Sequence, residues 1–277
     1  IIAIEKENYY RNPVRRIQAR EAARELSGEQ RFIIEDIMGE YRAGRPGTSL
    51  IHGITGSGKT EVYLGIIEQM TAMGKQAIML IPEIALTYQT LLRFYKRFGD
   101  RVSVINSTLS MGEKYDQTER ARRGELDVMI GPRSALFTPF PNLGVIIIDE
   151  EHENSYKSET MPKYHARETA IQIASLKGAS VVLGSATPSL EAAYRAEKGE
   201  YRRYRLQKRL TGGTLPQVYT VDLREELKEG NRSIFSRKLK ELMKQRLEAG
   251  EQSMLFLNRR GYAGFISCRA CGHVMKC

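Results

Sequence analysis

The sequence predicts an α/β fold in which a parallel sheet is flanked by helices. Three observations predict it. Short apolar, β-branched runs alternate with helical stretches from Ser49 onward. A glycine-rich segment, GITGSGKT, lies between the first run and the next helix. An acidic segment, DEEH, directly follows the fifth run. Alternation of this kind is typical of parallel sheets whose strands are covered on both faces.

The individual elements follow from local patterns. Ser27 precedes an apolar helical face that begins near Phe32, so Ser27 is a predicted N-cap. Further helices are predicted over residues 61–70 and over residues 190–198, the latter starting at Thr187-Pro188-Ser189. The predicted strands of the first α/β unit are residues 49–52, 77–81, 102–105, 128–130, 145–148 and 180–183.

A polar, Arg- and Gly-rich stretch over residues 201–216 interrupts this alternation, and we interpret it as an interdomain linker. A second α/β pattern follows, with a strand at 218–223, a helix at 236–249 and a strand at 253–257. Both ends of the chain look like cuts, so we expect a fragment of a longer protein.

Composition sets the broad class. The chain has 277 residues, of which 41% are hydrophobic and 27% charged, a mixture typical of soluble globular proteins. No window approaches the roughly 20 apolar residues of a membrane span, and the start lacks a secretory signal. The three cysteines all lie in the last ten residues, which argues against a disulfide framework. We therefore expect a cytoplasmic location.

The charge balance favours a polyanionic partner. Lys and Arg total 43 against 33 acidic residues, a formal net charge of +10. Such an excess raises phosphate affinity without identifying a site, and a solvated basic surface is the alternative. Motifs must therefore decide whether nucleic acid is the partner.

The glycine-rich segment matches the phosphate-binding loop pattern in full and lies between a predicted strand and a predicted helix. Its glycines let backbone N–H groups close around phosphate oxygens, and the helix N-terminus adds positive potential. Lys59 reaches the outer phosphates, and the Thr60 hydroxyl can ligate Mg²⁺. An ordinary glycine-rich turn would need neither the Lys-Thr pair nor this placement. The candidate nucleotide-binding residues are Gly53, Thr55, Gly56, Ser57, Gly58, Lys59 and Thr60.

The acidic segment follows a buried strand at the sheet edge where ligands of open α/β sheets bind. Asp149 is placed to hold Mg²⁺, and Glu150 to orient and deprotonate the attacking water. A solvated acidic turn is the alternative interpretation. Together with Lys59, these carboxylates are the candidate catalytic residues.

The DEEH segment and the GSATPS segment at residues 184–189 resemble two motifs of superfamily 2 helicases, within them most closely the bacterial replication-restart helicases. Supporting stretches are PEIALT at 82–87, GPRSALF at 131–137 and FLNRRGY at 256–262. The resemblance spans most of the chain from Gln30 onward. It implies a RecA-like first helicase lobe over residues 27–205 and a linker over 206–216. A connector from an upstream DNA-binding region (1–26), the start of a second lobe (217–267) and a truncated zinc-binding region (268–277) complete the scheme.

The resemblance also implies residue roles. Gln30 would contact adenine, residues 82–87 and 131–137 would face the DNA backbone, and residues from Ser185 to Thr187 would couple nucleotide state to DNA. Arg133 is a rigidly presented cation suited to a phosphate, although it could equally be a surface arginine. Thr187 could equally be a helix cap.

An aromatic- and cation-rich stretch over residues 153–167 resembles the loop that such helicases place beside bound single strand. Tyr156, Tyr164 and Arg167 are its candidate DNA-binding or coupling residues, since aromatic rings can stack on bases without sequence preference. The alternative is that both tyrosines pack the loop onto its own domain. His152 could relay hydrogen bonds from the nucleotide toward DNA, or be structural.

Cys268 and Cys271 have the spacing of half a zinc site. The resemblance implies eight cysteines that bind two Zn²⁺ ions in the whole protein, so Cys268, Cys271 and Cys277 form an incomplete set. It also places the arginine that reaches the γ-phosphate in later motifs of the second lobe. We therefore expect the chain to bind nucleotide and DNA but to hydrolyse ATP and unwind poorly.

The resulting hypothesis is an ATP-dependent 3′–5′ DNA helicase of replication restart and primosome assembly, with ATP and Mg²⁺ as cofactors. By resemblance, its partners would be DNA forks, single-stranded DNA, primosome proteins and single-strand DNA-binding protein. Two alternatives stay open. One is a P-loop ATPase that translocates on or remodels nucleoprotein without strand separation. The other is a non-catalytic, nucleotide-gated binding module.

Overall fold

The computed structural model describes residues 25–209 and 216–256, which belong to two compact units. Within these two ranges, no helix combines the length and the apolar character that crossing a bilayer requires. The predictions for residues 1–24 and for the three cysteines lie outside the described residues.

The first unit is built on one parallel sheet of seven strands. The strands are β1 (Thr48–Gly53), β2 (Gln76–Leu80), β3 (Val102–Val104), β4 (Val128–Gly131), β5 (Leu143–Asp149), β6 (Ser180–Ser185) and β7 (Arg202–Leu206). Their order across the sheet is β3-β4-β2-β5-β6-β1-β7. The six strands predicted from apolar runs are confirmed to within two residues at each end, as is the α/β fold class.

Helices cover both faces of this sheet. They are α1 (Gly28–Arg42), α2 (Lys59–Ala72), α3 (Tyr88–Phe98), α4 (Met111–Arg122), α5 (Ala166–Lys177) and α6 (Leu190–Glu197). In β5, Val145 and Ile147 pack into the apolar layer formed with α1, α2 and α3. Ile146 and Ile148 point into the opposite layer, formed with α5 and α6. The strand is apolar without interruption because both of its faces are buried.

Side-chain caps begin five of these six helices, and the caps of α1 and α6 bear on the sequence predictions. Ser27 and Gln30 form a capping box at the start of α1, so the predicted N-cap is confirmed. At α6 the cap is Ser189, whose hydroxyl accepts from the backbone N–H of Ala192. The alternative interpretation of Thr187 as a helix cap is therefore wrong, because the helix begins three residues later.

The linker interpretation of residues 201–216 is wrong for Arg202–Leu206, which form the edge strand β7 beside β1. Only Tyr204 and Leu206 of this strand are buried, whereas its three arginines face solvent. The sequence therefore looks like a polar connector, although its alternation satisfies an edge strand with one buried face. The backbone N–H of Ile54 donates to the Leu206 carbonyl at 3.2 Å, which extends the pairing into the glycine-rich loop.

The second unit contains α7 (Leu223–Lys228) and α8 (Arg237–Glu248). Helix α8 confirms the helix predicted at 236–249, and Ser236 is its N-cap. The strands predicted at 218–223 and 253–257 are wrong in the described residues, since neither 216–222 nor 251–256 is in a strand. Val218, Met254 and Phe256 are highly exposed there. Within the described part of this unit, these segments have no neighbouring strand to supply hydrogen bonds, so apolar pattern alone does not make a strand.

Candidate functional site

The glycine-rich loop joins β1 to α2 at the C-terminal edge of the sheet, as predicted. Gly56 and Gly58 have φ values of 80° and 83°, in the left-handed region where a side chain would be strained. Gly58 directly precedes α2, so backbone N–H groups at the start of this helix face the loop. The predicted anion-binding geometry is therefore present.

Two polar groups in the loop fit a phosphate ligand. Among the described residues, the Ser57 hydroxyl is buried without a hydrogen-bond partner. The Lys59 ammonium, also buried, donates to the Gly53 carbonyl at 2.8 Å. A buried hydroxyl that lacks a partner among the described residues and a nearby buried ammonium are suited to receive anionic oxygens. The adjoining cavity of about 390 Å³ is lined by residues 54–61, Arg93, Asp149 and Glu150.

The acidic motif ends β5 at this cavity. Tyr63 of α2 donates its hydroxyl to Asp149 Oδ1 at 3.0 Å, and Tyr156 donates to the Asp149 carbonyl at 2.7 Å. Burial raises the pKa of Asp149, as does the neighbouring Glu150 carboxylate, while the Tyr63 hydroxyl and Lys59 oppose this rise. Glu150 has a φ of 47°, a left-handed conformation that residues other than glycine rarely adopt. Such local strain is concentrated at functional sites.

Glu151, to which the sequence interpretation gave no role, is fully buried and joins three elements. Its carboxylate accepts from the Ser189 backbone N–H and hydroxyl at 2.7 and 2.9 Å. Arg167 Nη1 donates to the same carboxylate at 3.0 Å and to the Ser189 hydroxyl at 2.7 Å. Arg167 is only 5% exposed. It is therefore an internal counter-ion with little surface to offer DNA, and its DNA-binding or coupling role stays a prediction.

His152 links the acidic motif to the GSATPS segment. Its Nδ1 lies 2.8 Å from the Ser185 hydroxyl and 3.7 Å from Glu150 Oε2, and its Nε2 lies 3.5 Å from the Thr187 hydroxyl. The Ser185 hydroxyl also accepts from the Thr187 backbone N–H at 2.9 Å. Ser185 is buried and Thr187 is exposed. The arrangement connects the nucleotide cavity to the surface, and the relay role of His152 stays a prediction.

The aromatic-rich loop places its two tyrosines differently. Tyr156 is 1% exposed and packs the loop onto its own domain, as the alternative interpretation has it. It presents little surface on which a base could stack, and its DNA-binding or coupling role stays a prediction. Tyr164 is half-buried and meets Phe137 edge-on, with ring centroids 5.2 Å apart. Arg133 Nη1 donates to the carbonyls of Ser155 and Lys157, both at 2.8 Å. Arg133 thus anchors this loop, and a contact with DNA phosphate stays a prediction.

A second cavity of about 370 Å³ lies where the two segments predicted to face the DNA backbone meet. Pro82 and Glu83 line it from one segment, and Pro132 and Arg133 from the other. Lys114 of α4 adds a cation to the lining. The fold therefore brings residues 82–87 and 131–137 together, because β2 and β4 are neighbours in the sheet.

Gln30 is 1% exposed and lies behind the glycine-rich loop. Its Oε1 accepts from the Ser27 N–H at 2.8 Å, and its Nε2 donates to the Gly58 carbonyl at 3.2 Å. Both the oxygen and the nitrogen of the Gln30 amide therefore form hydrogen bonds inside the protein. The resemblance instead implies a contact between this amide and adenine. The adenine contact stays a prediction, whereas a contact with the loop backbone is observed.

Sequence reasoning missed Tyr63, Glu151 and Arg93. Glu151 had a signal in the DEEH segment itself, but Tyr63 and Arg93 lie in ordinary helical sequence. Only the fold brings Tyr63 to Asp149 and Arg93 to the cavity. The three cysteines lie outside the described residues, in which no cluster of His, Cys, Asp and Glu suited to a metal ion is found.

Comparisons with known proteins identify the family of this chain. The sequence profile described as DEAD/DEAH box helicase matches residues 17–196. Replication restart protein PriA of Bacillus subtilis (strain 168) is 52% identical over 252 residues, which cover 91% of this chain and 31% of that protein. PriA of Synechocystis sp. is 48% identical over 233 residues, covering 82% and 28%. The chain therefore spans about a third of the length of these relatives.

Among solved structures, RecG bound to a three-way DNA junction is similar in fold, with a TM-score of 0.50 and 20% sequence identity. The match covers 74% of this chain and 28% of that one. This similarity supports the RecA-like fold alone.

Proposed function

This chain belongs to the DEAD/DEAH box helicase family, and we propose that it is the nucleotide-binding part of an ATP-dependent 3′–5′ DNA helicase of replication restart and primosome assembly. One observation carries the proposal. Lys59, Asp149 and Glu150 line a single cavity at the C-terminal edge of the sheet. A cation for phosphate, a carboxylate for Mg²⁺ and a second carboxylate for water are the groups that phosphoryl transfer to water requires. The curated relatives named above are replication restart proteins.

In this proposal the loop backbone and Lys59 hold the phosphates of ATP, while Thr60 and Asp149 would hold Mg²⁺. Bound there, Mg²⁺ would supply positive charge that stabilises the charge developing on the phosphates. Glu150 orients and deprotonates the attacking water. The partnerless hydroxyl of Ser57 supports this assignment, because a buried donor without a partner is stabilised when a ligand supplies one.

Single-stranded DNA would cross the second cavity, beside the segments at 82–87 and 131–137. The cations Lys114 and Arg133 in its lining and the net charge of +10 support a phosphate backbone as the ligand. Tyr164, which is half-buried, and Thr187, which is exposed, remain candidate residues for contact with DNA. Binding of this kind is largely independent of sequence.

Coupling between the two sites would run through His152. The imidazole of His152 lies close to the Glu150 carboxylate, to the Ser185 hydroxyl and to the Thr187 hydroxyl. A change in the nucleotide that moves Glu150 would thereby alter hydrogen bonds at the exposed Thr187.

For the whole protein we propose DNA forks, primosome proteins and single-strand DNA-binding protein as partners, Zn²⁺ on the cysteine region, and a cytoplasmic location. The resemblance assigns the arginine that contacts the γ-phosphate to later motifs, and the chain spans about a third of its curated relatives. We therefore propose that this chain by itself binds nucleotide and DNA but hydrolyses ATP slowly.

The first test compares DNA-stimulated ATPase activity of this chain with that of the full-length protein, using forked DNA. Lys59→Ala is the site variant, and Lys177→Ala, at an exposed position on α5, is the matched control. We expect turnover in the full-length protein only, lost in Lys59→Ala and kept in Lys177→Ala. Equal DNA-stimulated turnover by the isolated chain would contradict the missing-arginine argument.

A second test separates the proposal from the two alternatives. If the full-length protein translocates on single strands but never unwinds a fork, remodelling of nucleoprotein is the better description. If DNA changes neither turnover nor nucleotide affinity, the helicase assignment fails. Single-strand affinity should fall as salt rises, with a clearly negative slope of log affinity against log salt.

A further inference from the structure

Tyr63 lies beneath the acidic motif and takes no part in the assignments above. It is fully buried on α2, one turn after Thr60. Residues three apart on a helix lie on the same face, so Thr60 and Tyr63 face the same side. The Tyr63 hydroxyl donates to Asp149 Oδ1 at 3.0 Å. One helix therefore carries both a candidate Mg²⁺ ligand and the group that holds the other candidate ligand.

The neighbouring strand makes room for this hydroxyl. Gly184 of β6 lies opposite Asp149 in the sheet register. A Cβ atom at position 184 would lie 1.6 Å from the Tyr63 hydroxyl oxygen, so any side chain there would displace the ring. The hydroxyl occupies space that an ordinary strand residue would fill, and its position is consequently fixed by packing.

Asp149 is also held at its backbone. The Tyr156 hydroxyl donates to the Asp149 carbonyl at 2.7 Å, and Tyr156 is itself buried. Two tyrosines on different elements thus hold one residue, Tyr156 at the main chain and Tyr63 at the carboxylate. Partners that orient a metal-binding carboxylate in this way commonly change metal affinity by about 10- to 100-fold when they are removed.

We propose that Tyr63 is a positioning residue whose hydroxyl sets the orientation of the Asp149 carboxylate relative to Thr60 for the Mg²⁺ of bound nucleotide. The inference rests on the proposed nucleotide-binding function and adds to it a residue that touches neither nucleotide nor metal. Tyr63 acts through Asp149, and Gly184 permits it to do so.

The test is Tyr63→Phe in the whole chain, because this change removes the hydroxyl and keeps the ring. Binding of a fluorescent ADP analogue is measured with Mg²⁺ and with a chelator. We expect the gain in affinity that Mg²⁺ gives to fall by about 10-fold or more in Tyr63→Phe. Affinity in the chelator should stay within about twofold of the parent, because the loop contacts are unchanged.

The matched control is Tyr95→Phe. Tyr95 on α3 is equally a buried tyrosine, but its hydroxyl has no hydrogen-bond partner among the described residues. Tyr95→Phe should leave both affinities unchanged. In an Asp149→Asn background, Tyr63→Phe should not further reduce the gain in affinity that Mg²⁺ gives, because Tyr63 acts through the Asp149 carboxylate.

The outcomes are distinct. If the parent chain shows no Mg²⁺-dependent binding and Lys59→Ala changes nothing, the proposed function itself fails. If the parent shows Mg²⁺-dependent binding and Tyr63→Phe matches it, only the inference about Tyr63 is overturned. Loss of affinity to the same extent with and without Mg²⁺ also overturns it, since that result would indicate a packing role.

Discussion

Replacing Arg167 with methionine removes a buried cation and leaves its carboxylate partner without a counter-charge. The side chains of Arg167 and Glu151 are 6% and 0% exposed, and they meet at 3.0 Å. Removing one partner of a buried pair typically costs about 3–5 kcal/mol, because the other charge stays buried. Ser189 still donates two hydrogen bonds to Glu151, so we expect the lower end, about 3 kcal/mol.

Thermal unfolding of the ligand-free chain measures this loss. A unit of this size loses about 2–4 °C of melting temperature per kcal/mol, so Arg167→Met should melt about 6–12 °C lower. The double variant Glu151→Gln/Arg167→Met should recover a large part of the loss, because glutamine carries no charge to leave unpaired. Recovery in the double variant distinguishes a stranded charge from a simple cavity.

Binding of single-stranded DNA to the folded variants gives the complementary readout. Lys163, exposed in the same loop, is the matched control. Lys163→Met should weaken binding and make the salt slope shallower, whereas Arg167→Met should leave the slope unchanged. If Arg167→Met loses less than about 1 kcal/mol of stability and also shows a shallower dependence of DNA affinity on salt, the internal role of Arg167 is refuted. Arg167 would then be a residue that contacts DNA phosphate.

Three other predictions concern pH, the loop and the core. Burial lowers the pKa of His165 in the folded chain. As pH drops below 6.5, the unfolded chain therefore binds more protons than the folded chain, and the melting temperature should fall. The fall should be smaller in His165→Asn, a variant that keeps a helix cap at the start of α5. An equal fall in both proteins would exclude His165 as the cause. Gln30→Ala removes the hydrogen bond to the Gly58 carbonyl. It should lower the free energy of unfolding by about 1–2 kcal/mol and weaken ADP binding in titrations. Unchanged ADP affinity would show that this bond does not support the glycine-rich loop. Ile147→Ala should cost about 2–5 kcal/mol in urea unfolding, because Ile147 is fully buried in the central strand β5, and a loss below about 1 kcal/mol would contradict the two-layer core.

The features that sequence analysis predicted correctly are those written in contiguous residues. The glycine-rich loop needs glycines, Lys59 and Thr60 within eight positions, and its strand and helix are adjacent in the chain. The six apolar strands are recognisable because burial on both faces requires an unbroken apolar run. The α1 capping box is likewise a pattern of two residues three apart.

The sequence predictions failed where a residue's environment is set by distant partners. In β7, three exposed arginines hide the pattern, and only the edge of β1 makes the segment a strand. In the second unit, apolar segments without a neighbouring strand form none in the described residues. Pairing between strands is non-local, so a short segment does not contain the information that decides it.

The functional site shows the same contrast between features set by contiguous residues and features set by distant partners. The sequence by itself was sufficient to predict which groups would meet phosphate, Mg²⁺ and water, because that chemistry requires particular residue types at fixed spacing. Only the tertiary structure decided that Arg167 and Tyr156 are internal. It also decided that Tyr63 holds Asp149, and that Glu151 ties the acidic motif to Arg167 and Ser189. Burial and hydrogen bonding depend on partners that are 7 to 86 positions away. Those partners are selected by the packing of the whole core, whereas a motif is selected by its own chemistry.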